Sequence, residues 1–315
     1  MRTVFWMGIL GMFLVMSFNP LFALNLPAGG QGPWGVGITQ DAQNLIVANV
    51  NSNEVAFIDI PSGTVLAQVV SGQSPKNLVL SGDGSICYVV NSQSNDVSII
   101  DVPSREEVGR IGVTGSPQNL CFTPGGQFLL VANWTPNSVS IIDVTQNTEI
   151  GSIATDLSPY GMAILPDGSR ALVTNYDSNN VSVIDLALRR EVGRIAVGEK
   201  PWDIAVTPQG DYVLVVNTKS NSVSMVATGT LQVVREIPVG EWPWYIAISH
   251  DGRFAYVTNN TSRSISVIDV AAQAVVKTLD LGFKPWAIVL SGDDSKAFVV
   301  NNDEEVITVV DLATE

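Results

Sequence analysis

Residues 201–240 read PWDIAVTPQGDYVLVVNTKSNSVSMVATGTLQVVREIPVG and contain four short apolar runs. Ile204 to Thr207 is the first. Gln209-Gly210 is a turn signal, and Tyr212 to Val216 is the second run, ending at Asn217. A polar loop from Lys219 to Ser222 leads to the third, Val223 to Val226. Leu231 to Val239 is the fourth. β-Branched residues dominate and no run has a 3.6-residue period, so each reads as a strand. The second run is apolar on both faces, as in a strand covered on both sides.

The stretch recurs with a period of 42 residues. Proline stands at Pro33, Pro75, Pro117, Pro159, Pro201, Pro243 and Pro285. Asparagine stands at Asn49, Asn91, Asn133, Asn175, Asn217, Asn259 and Asn301. Aspartate stands at Asp59, Asp101, Asp143, Asp185, Asp269 and Asp311, with Ala227 the exception. A four-stranded sheet covered by similar sheets on both faces is a propeller blade, and 42 residues is a blade length. The sequence therefore predicts an all-β, seven-bladed propeller of four-stranded antiparallel blades.

Strands are named A to D from the axis outward. Seven A, B and C runs are present, but only six D runs follow them before Glu315. Subtracting seven periods places the missing D strand at 22–29, so the N-terminal strand is expected to close the seventh blade. Pro27 is tolerable on an outermost strand. The repeats are then 31–72, 73–114, 115–156, 157–198, 199–240, 241–282, and 283–315 completed by 24–30.

Residues 1–23 form a separate unit. Arg2 precedes an apolar run, Val4 to Phe18, followed by Asn19, Pro20 and the small residue Ala23. That is the order of a secretory signal peptide cleaved after Ala23, and the run is short for a membrane span. The expectation is a secreted or periplasmic propeller over 24–315, with no membrane span in the mature chain. An uncleaved anchor is the competing reading.

Composition narrows the chemistry. The formal net charge is −14, which disfavours binding nucleic-acid phosphates through bulk electrostatics. Two cysteines and one histidine rule out a disulfide framework, a four-thiolate zinc site and a His-rich metal site. No cofactor or metal site is expected. Cys87 and Cys121 replace apolar residues of other repeats and read as buried thiols, with an inter-blade disulfide as the alternative.

Tyr256-Val-Thr-Asn259 with Ser264-Ile-Ser-Val-Ile-Asp269 resembles the repeat of YVTN-family (YncE-like) β-propellers. Val173-Thr-Asn175, Val181-Ser-Val-Ile-Asp185 and the turn Pro166-Asp-Gly168 are similar. The resemblance covers nearly all of the chain after the leader. It implies that D–A and B–C loops share one face, the top, and that A–B and C–D loops share the bottom. The family includes surface-layer proteins, periplasmic proteins and relatives of lactonase-type propellers, so a fold is implied and an activity is not. Blade 5 departs at Ala227-Thr-Gly229 and blade 7 at Asp303-Glu-Glu305.

The repeated Asn and Asp read as local turn ligands, because nearly every blade has them. His250 falls on the bottom face, where a solvated side chain is expected. Among the arginines only Arg263 reaches a top-face loop, and none lies on an A strand. Asp203 is the main charge near the axis, and no catalytic set assembles around it. Asp303, Glu304 and Glu305 read as a solvated acidic loop rather than a calcium site.

Tryptophan gives the functional signal. Trp34, Trp134, Trp202, Trp242, Trp244 and Trp286 all fall in or beside top-face loops. The residue after each repeated proline is Trp34, Lys76, Gln118, Tyr160, Trp202, Trp244 and Trp286 in turn. Tyr176 and Tyr245 add to that face. The site is expected at Trp34, Lys76, Tyr160, Trp202, Asp203, Trp242, Trp244, Tyr245 and Trp286, taking an unknown ligand or protein partner. The competing reading is that these rings only cover the core between blades. The functional expectation is a non-enzymatic binding or scaffold propeller. The alternatives are a lactonase-like or lyase-like enzyme, or a surface-layer or adhesion module.

Overall fold

The computed structural model describes residues 22–312. They form strands β1 to β28, arranged as seven four-stranded antiparallel sheets. Six sheets are built from consecutive strands. The seventh joins β26 (Pro285–Leu290), β27 (Lys296–Asn301) and β28 (Val306–Asp311) to β1 (Phe22–Pro27) from the chain start. The signal-peptide expectation falls almost wholly outside the described residues. Cleavage after Ala23 would leave four of the six residues of β1 paired: Leu24 with Val309, Asn25 with Thr308, Leu26 with Ile307 and Pro27 with Val306.

Closure carries a one-residue correction. Leu26, opposite Ile307, is buried as Leu279 is opposite Ile265. The two leucines are 253 positions apart, one more than six periods. The extra residue lies in the glycine-rich link Gly29-Gly-Gln-Gly32 before Pro33. Gly29 and Gly32 there have φ near +69° and +65°, which glycine adopts without strain.

The inner strands explain the stacking of the blades. From the second residue onward, every B strand is buried along its length, as in β19 (Tyr212–Asn217), and the C strands are nearly so. Valine, isoleucine and leucine fill the gaps between neighbouring sheets, as in the cluster of Leu214, Val216, Met225, Ile246 and Val257. The repeated asparagines are buried too. Their amides donate mostly to a C-strand hydroxyl seven residues on, Asn217 to Ser224 at 2.7 Å and Asn259 to Ser266 at 2.9 Å. They tie B to C inside the sheet more than they cap a turn. The aspartates act as read: Asp101 and Asp269 accept the backbone N–H three residues on in the C–D turn.

Two bulges recur. On the D strand of each of blades 1 to 6 one residue has no cross-strand partner: Leu66, Val108, Ile150, Val192, Val234 and Val276. All six are exposed. Such a bulge twists an outer edge away from further strand pairing. The second bulge follows the repeated proline. Pro201 pairs with Asn217, but the next ladder pair is Ile204 with Val215. Trp202 and Asp203 therefore leave the ladder and are free to turn toward the axis.

Candidate functional site

Backbone bonds such as Val50 N–H to Gly32 and Trp134 N–H to Ser116 tie the D–A and B–C loops into one face, as expected. The bulged residues of β14 (Pro159–Ile164), β18 (Pro201–Val206), β22 (Pro243–Ile248) and β26 converge there on the axis. Trp202, Trp244, Trp286 and Trp34, from blades 5, 6, 7 and 1, sit side by side with ring centroids 4.6, 4.7 and 4.6 Å apart. Tyr160 of blade 4 closes the circuit. Its ring stacks on Trp202 at 3.7 Å, and its hydroxyl accepts from Trp34 Nε1 at 3.3 Å.

A polar set adjoins this tier, formed by the second residue after the proline in blades 2, 5 and 6, Asn77, Asp203 and Tyr245. Tyr160 Oη also accepts from Asn77 Nδ2 at 3.2 Å and shares a 2.7 Å bond with Tyr245 Oη. Asn77 Nδ2 donates to the Gln118 carbonyl as well. Asp203 Oδ2 accepts the Ile246 N–H at 3.1 Å, linking blade 5 to blade 6. Protein surrounds this carboxyl, and the residue as a whole is half-buried. Burial raises its pKa to about 7, against the two backbone bonds that lower it. Burial likewise raises Tyr160 to about 12 and holds Tyr245 well above the ordinary tyrosine value.

The two readings of the aromatic set divide it. Tyr160, Trp202, Tyr245 and Trp286 are core: at most 8% of any of them is exposed. They plug the axis instead of lining an open mouth. Trp34, Trp134, Trp244 and Tyr176 are half-buried at the edge of the plug. Trp242 stands out, 44% exposed, with its ring 6.1 Å from that of Trp244. Its φ is +52°, a left-handed conformation rare for a bulky side chain, and its N–H is held by Asn221 Oδ1. Lys76 lies largely buried with Nζ 4.4 Å from the centre of the Trp34 ring, and burial lowers its pKa to about 8. Two buried indole donors, Trp202 Nε1 and Trp286 Nε1, have no hydrogen-bond partner.

Asn77 was not foreseen as part of the site. The signal was available: Asn77, Asp203 and Tyr245 share one position of the repeat. The other flagged residues are elsewhere. His250, expected to be solvated, is exposed on the bottom face but bonds Asp294 through Nδ1 at 2.7 Å. Cys87 is buried, Cys121 partly so, and both are free thiols. Burial raises the Cys121 pKa to about 12. Asp303 pairs with Arg263 at 3.2 Å, and Glu304 accepts from Asn25 at 3.3 Å. Among the described residues, no three His, Cys, Asp or Glu side chains group as metal ligands.

Fold and site together define a seven-bladed β-propeller with an aromatic plug at one end of its axis. Residues 205–297 match the family model of YNCE-like beta-propellers, and residues 64–202 match that of 7-bladed beta-propeller lactonases. No curated protein matches the chain. Among solved structures, Kuenenia stuttgartiensis hydrazine synthase is similar with a TM-score of 0.81 at 22% identity, covering 90% of this chain and 96% of the other. At that identity the likeness is one of fold.

Proposed function

We propose that this chain is an exported binding propeller whose top face docks a ligand or partner through Trp242 and the half-buried rings beside it. One observation carries the reading. The residue before the repeated proline is Gly32, Ser74, Ser116, Ser158, Lys200 and Lys284 in the other blades, and Trp242 in blade 6. A large apolar side chain is thus held exposed, in a backbone conformation that disfavours it, next to a second tryptophan. The left-handed backbone recurs at Ser74, Ser158 and Lys200, so it belongs to the loop, and what sets blade 6 apart is the tryptophan that occupies it. A rigid tryptophan on a packed base is the usual form of a binding hot spot. The plug beneath it supplies that base.

The experiment is a fluorescence and thermal-shift screen of the mature protein against sugars, peptides, quinones, haem and oligonucleotides. A hit whose affinity falls at least tenfold in Trp242→Ala, with the melting temperature unchanged, supports the reading. Hits insensitive to Trp242 and Trp244 contradict it.

The lactonase match favours a second reading, in which the enclosed Asp203 carboxyl acts on a lactone entering the axis. Sustained lactone turnover that Asp203→Asn abolishes would establish it.

A further inference from the structure

We propose that the aromatic plug is a one-electron relay, carrying an oxidising equivalent from Trp242 at the surface to the buried Tyr160–Tyr245 pair. This activity is independent of ligand docking. The path is continuous. Trp242 lies 6.1 Å from Trp244, Trp244 lies 4.6 Å from Trp202, and Trp202 stacks on Tyr160 at 3.7 Å. The entry ring is 44% exposed and the terminal one is fully buried.

Hydrogen bonding sets the direction. An oxidised indole becomes a milder oxidant when its N–H proton can leave. Trp202 Nε1 is buried without an acceptor, so its radical cation keeps the proton and remains a strong oxidant. Tyr160 is in the opposite situation. A phenol oxygen has two acceptor sites and one proton to give. Trp34 Nε1 and Asn77 Nδ2 occupy the acceptor sites, so the Tyr160 proton points to Tyr245 Oη at 2.7 Å. Tyr160 can therefore lose an electron and a proton together, whereas Trp202 can lose only an electron.

With azidyl radical as the oxidant, the steps balance. Trp242 gives one electron, forming azide ion. Trp244 refills Trp242, Trp202 refills Trp244, and Tyr160 refills Trp202. The Tyr160 proton passes to Tyr245 Oη as Tyr245 releases its own, which reaches the Asp203 carboxylate through water; Asp203 is tied to the Ile246 N–H next to Tyr245 and makes no direct bond to either phenol. The Asp203 charge raises the pKa of both phenols. The products are azide ion, a neutral Tyr160 phenoxyl radical and protonated Asp203. The last step needs ionised Asp203, so transfer should slow as pH falls below about 7. Strands packed against β18 bring few other titratable groups: Tyr160, Tyr245, Tyr212 and Arg170. The last two are at the bottom ends of their strands. No ion pair involves Asp203 among the described residues.

The test is pulse radiolysis of the mature protein with azide, following the tryptophanyl and tyrosyl absorption bands. In the unmodified protein the tryptophanyl band should decay into the tyrosyl band at a rate independent of protein concentration. Tyr160→Phe should abolish the fast tyrosyl rise and prolong the tryptophanyl signal. Asp203→Asn should remove the pH dependence of the rise, a result that altered packing alone would not produce. Circular dichroism and melting confirm that the variants fold. A tyrosyl rise that persists in Tyr160→Phe, or a tryptophanyl radical that never converts in the unmodified protein, overturns the proposal.

Discussion

Tyr160 of blade 4 and Tyr245 of blade 6 meet hydroxyl to hydroxyl at 2.7 Å on the propeller axis. Blades that are not neighbours are thereby joined at the centre. The same Tyr160 oxygen reaches Trp34 of blade 1 and Asn77 of blade 2. Four blades out of seven thus share one buried oxygen. The rings above it turn a channel into a floor on which an exposed side chain can stand.

The buried carboxyl makes stability depend on pH. Asp203 titrates near 7 when folded and near 3.8 when unfolded. Between those values the folded state keeps a proton that the unfolded state releases, so stability falls as pH rises from about 4 to about 7. Asp203→Asn should remove that fall. Chemical denaturation should show the variant more stable at pH 8 by about 2–4 kcal/mol, and nearly unchanged at about pH 4.

Plug and edge should respond differently to truncation. Trp202→Ala removes a buried ring stacked on Tyr160 and should destabilise by about 3–5 kcal/mol in denaturant melts. Trp242→Ala also removes a strained, exposed ring and should change stability by less than about 1 kcal/mol. Acrylamide should quench part of the tryptophan emission of the unmodified protein and a smaller part in Trp242→Ala.

Closure by β1 makes a prediction for the chain start. Leu26 and Ala28 are buried, and Asn25 Oδ1 accepts from Thr308 at 2.8 Å. A chain beginning at Gly30 leaves the outer edge of β28 unpaired. It should melt at clearly lower temperature or aggregate. Leu26→Ala alone should lose about 2–5 kcal/mol.

The asparagine column should carry measurable stability. Asn217→Ala removes the amide donor to the Ser224 and Ser222 hydroxyls, which keep their own bonds to Glu236, and should lose about 1–3 kcal/mol. Urea melts of this variant and of Ala227→Asp separate an internal tie from a turn position.

The fold was legible because the repeat is strict: Pro201, Asn217 and their copies mark strand ends in every blade, and strand patterning follows from apolar runs. The one-residue offset of β1 was not legible, since the insertion lies among glycines that carry no phase of their own. Placing the six tryptophans on one face needed the period and the loop arrangement that the family resemblance implies. Separating plug from anchor did not follow, because burial at the axis depends on how far a side chain reaches across it. Tyr160 spans the axis while Trp242, two residues before Trp244, stays outside. Sequence position alone gives both the same face. The bulge after each proline, which frees Trp202 and Asp203 from the ladder, is a property of paired strands and leaves no mark on one strand read alone.

The most direct test of docking at the aromatic face is the set of indole N–H signals in a proton–nitrogen NMR spectrum, assigned by single Trp→Phe variants. On titration with a hit from the ligand screen, the account predicts that Trp242 and Trp244 shift first and most. Trp34 and Trp134 should follow, with the buried Trp202 and Trp286 moving least. A ligand that binds with the Trp242 and Trp244 signals unmoved would contradict it.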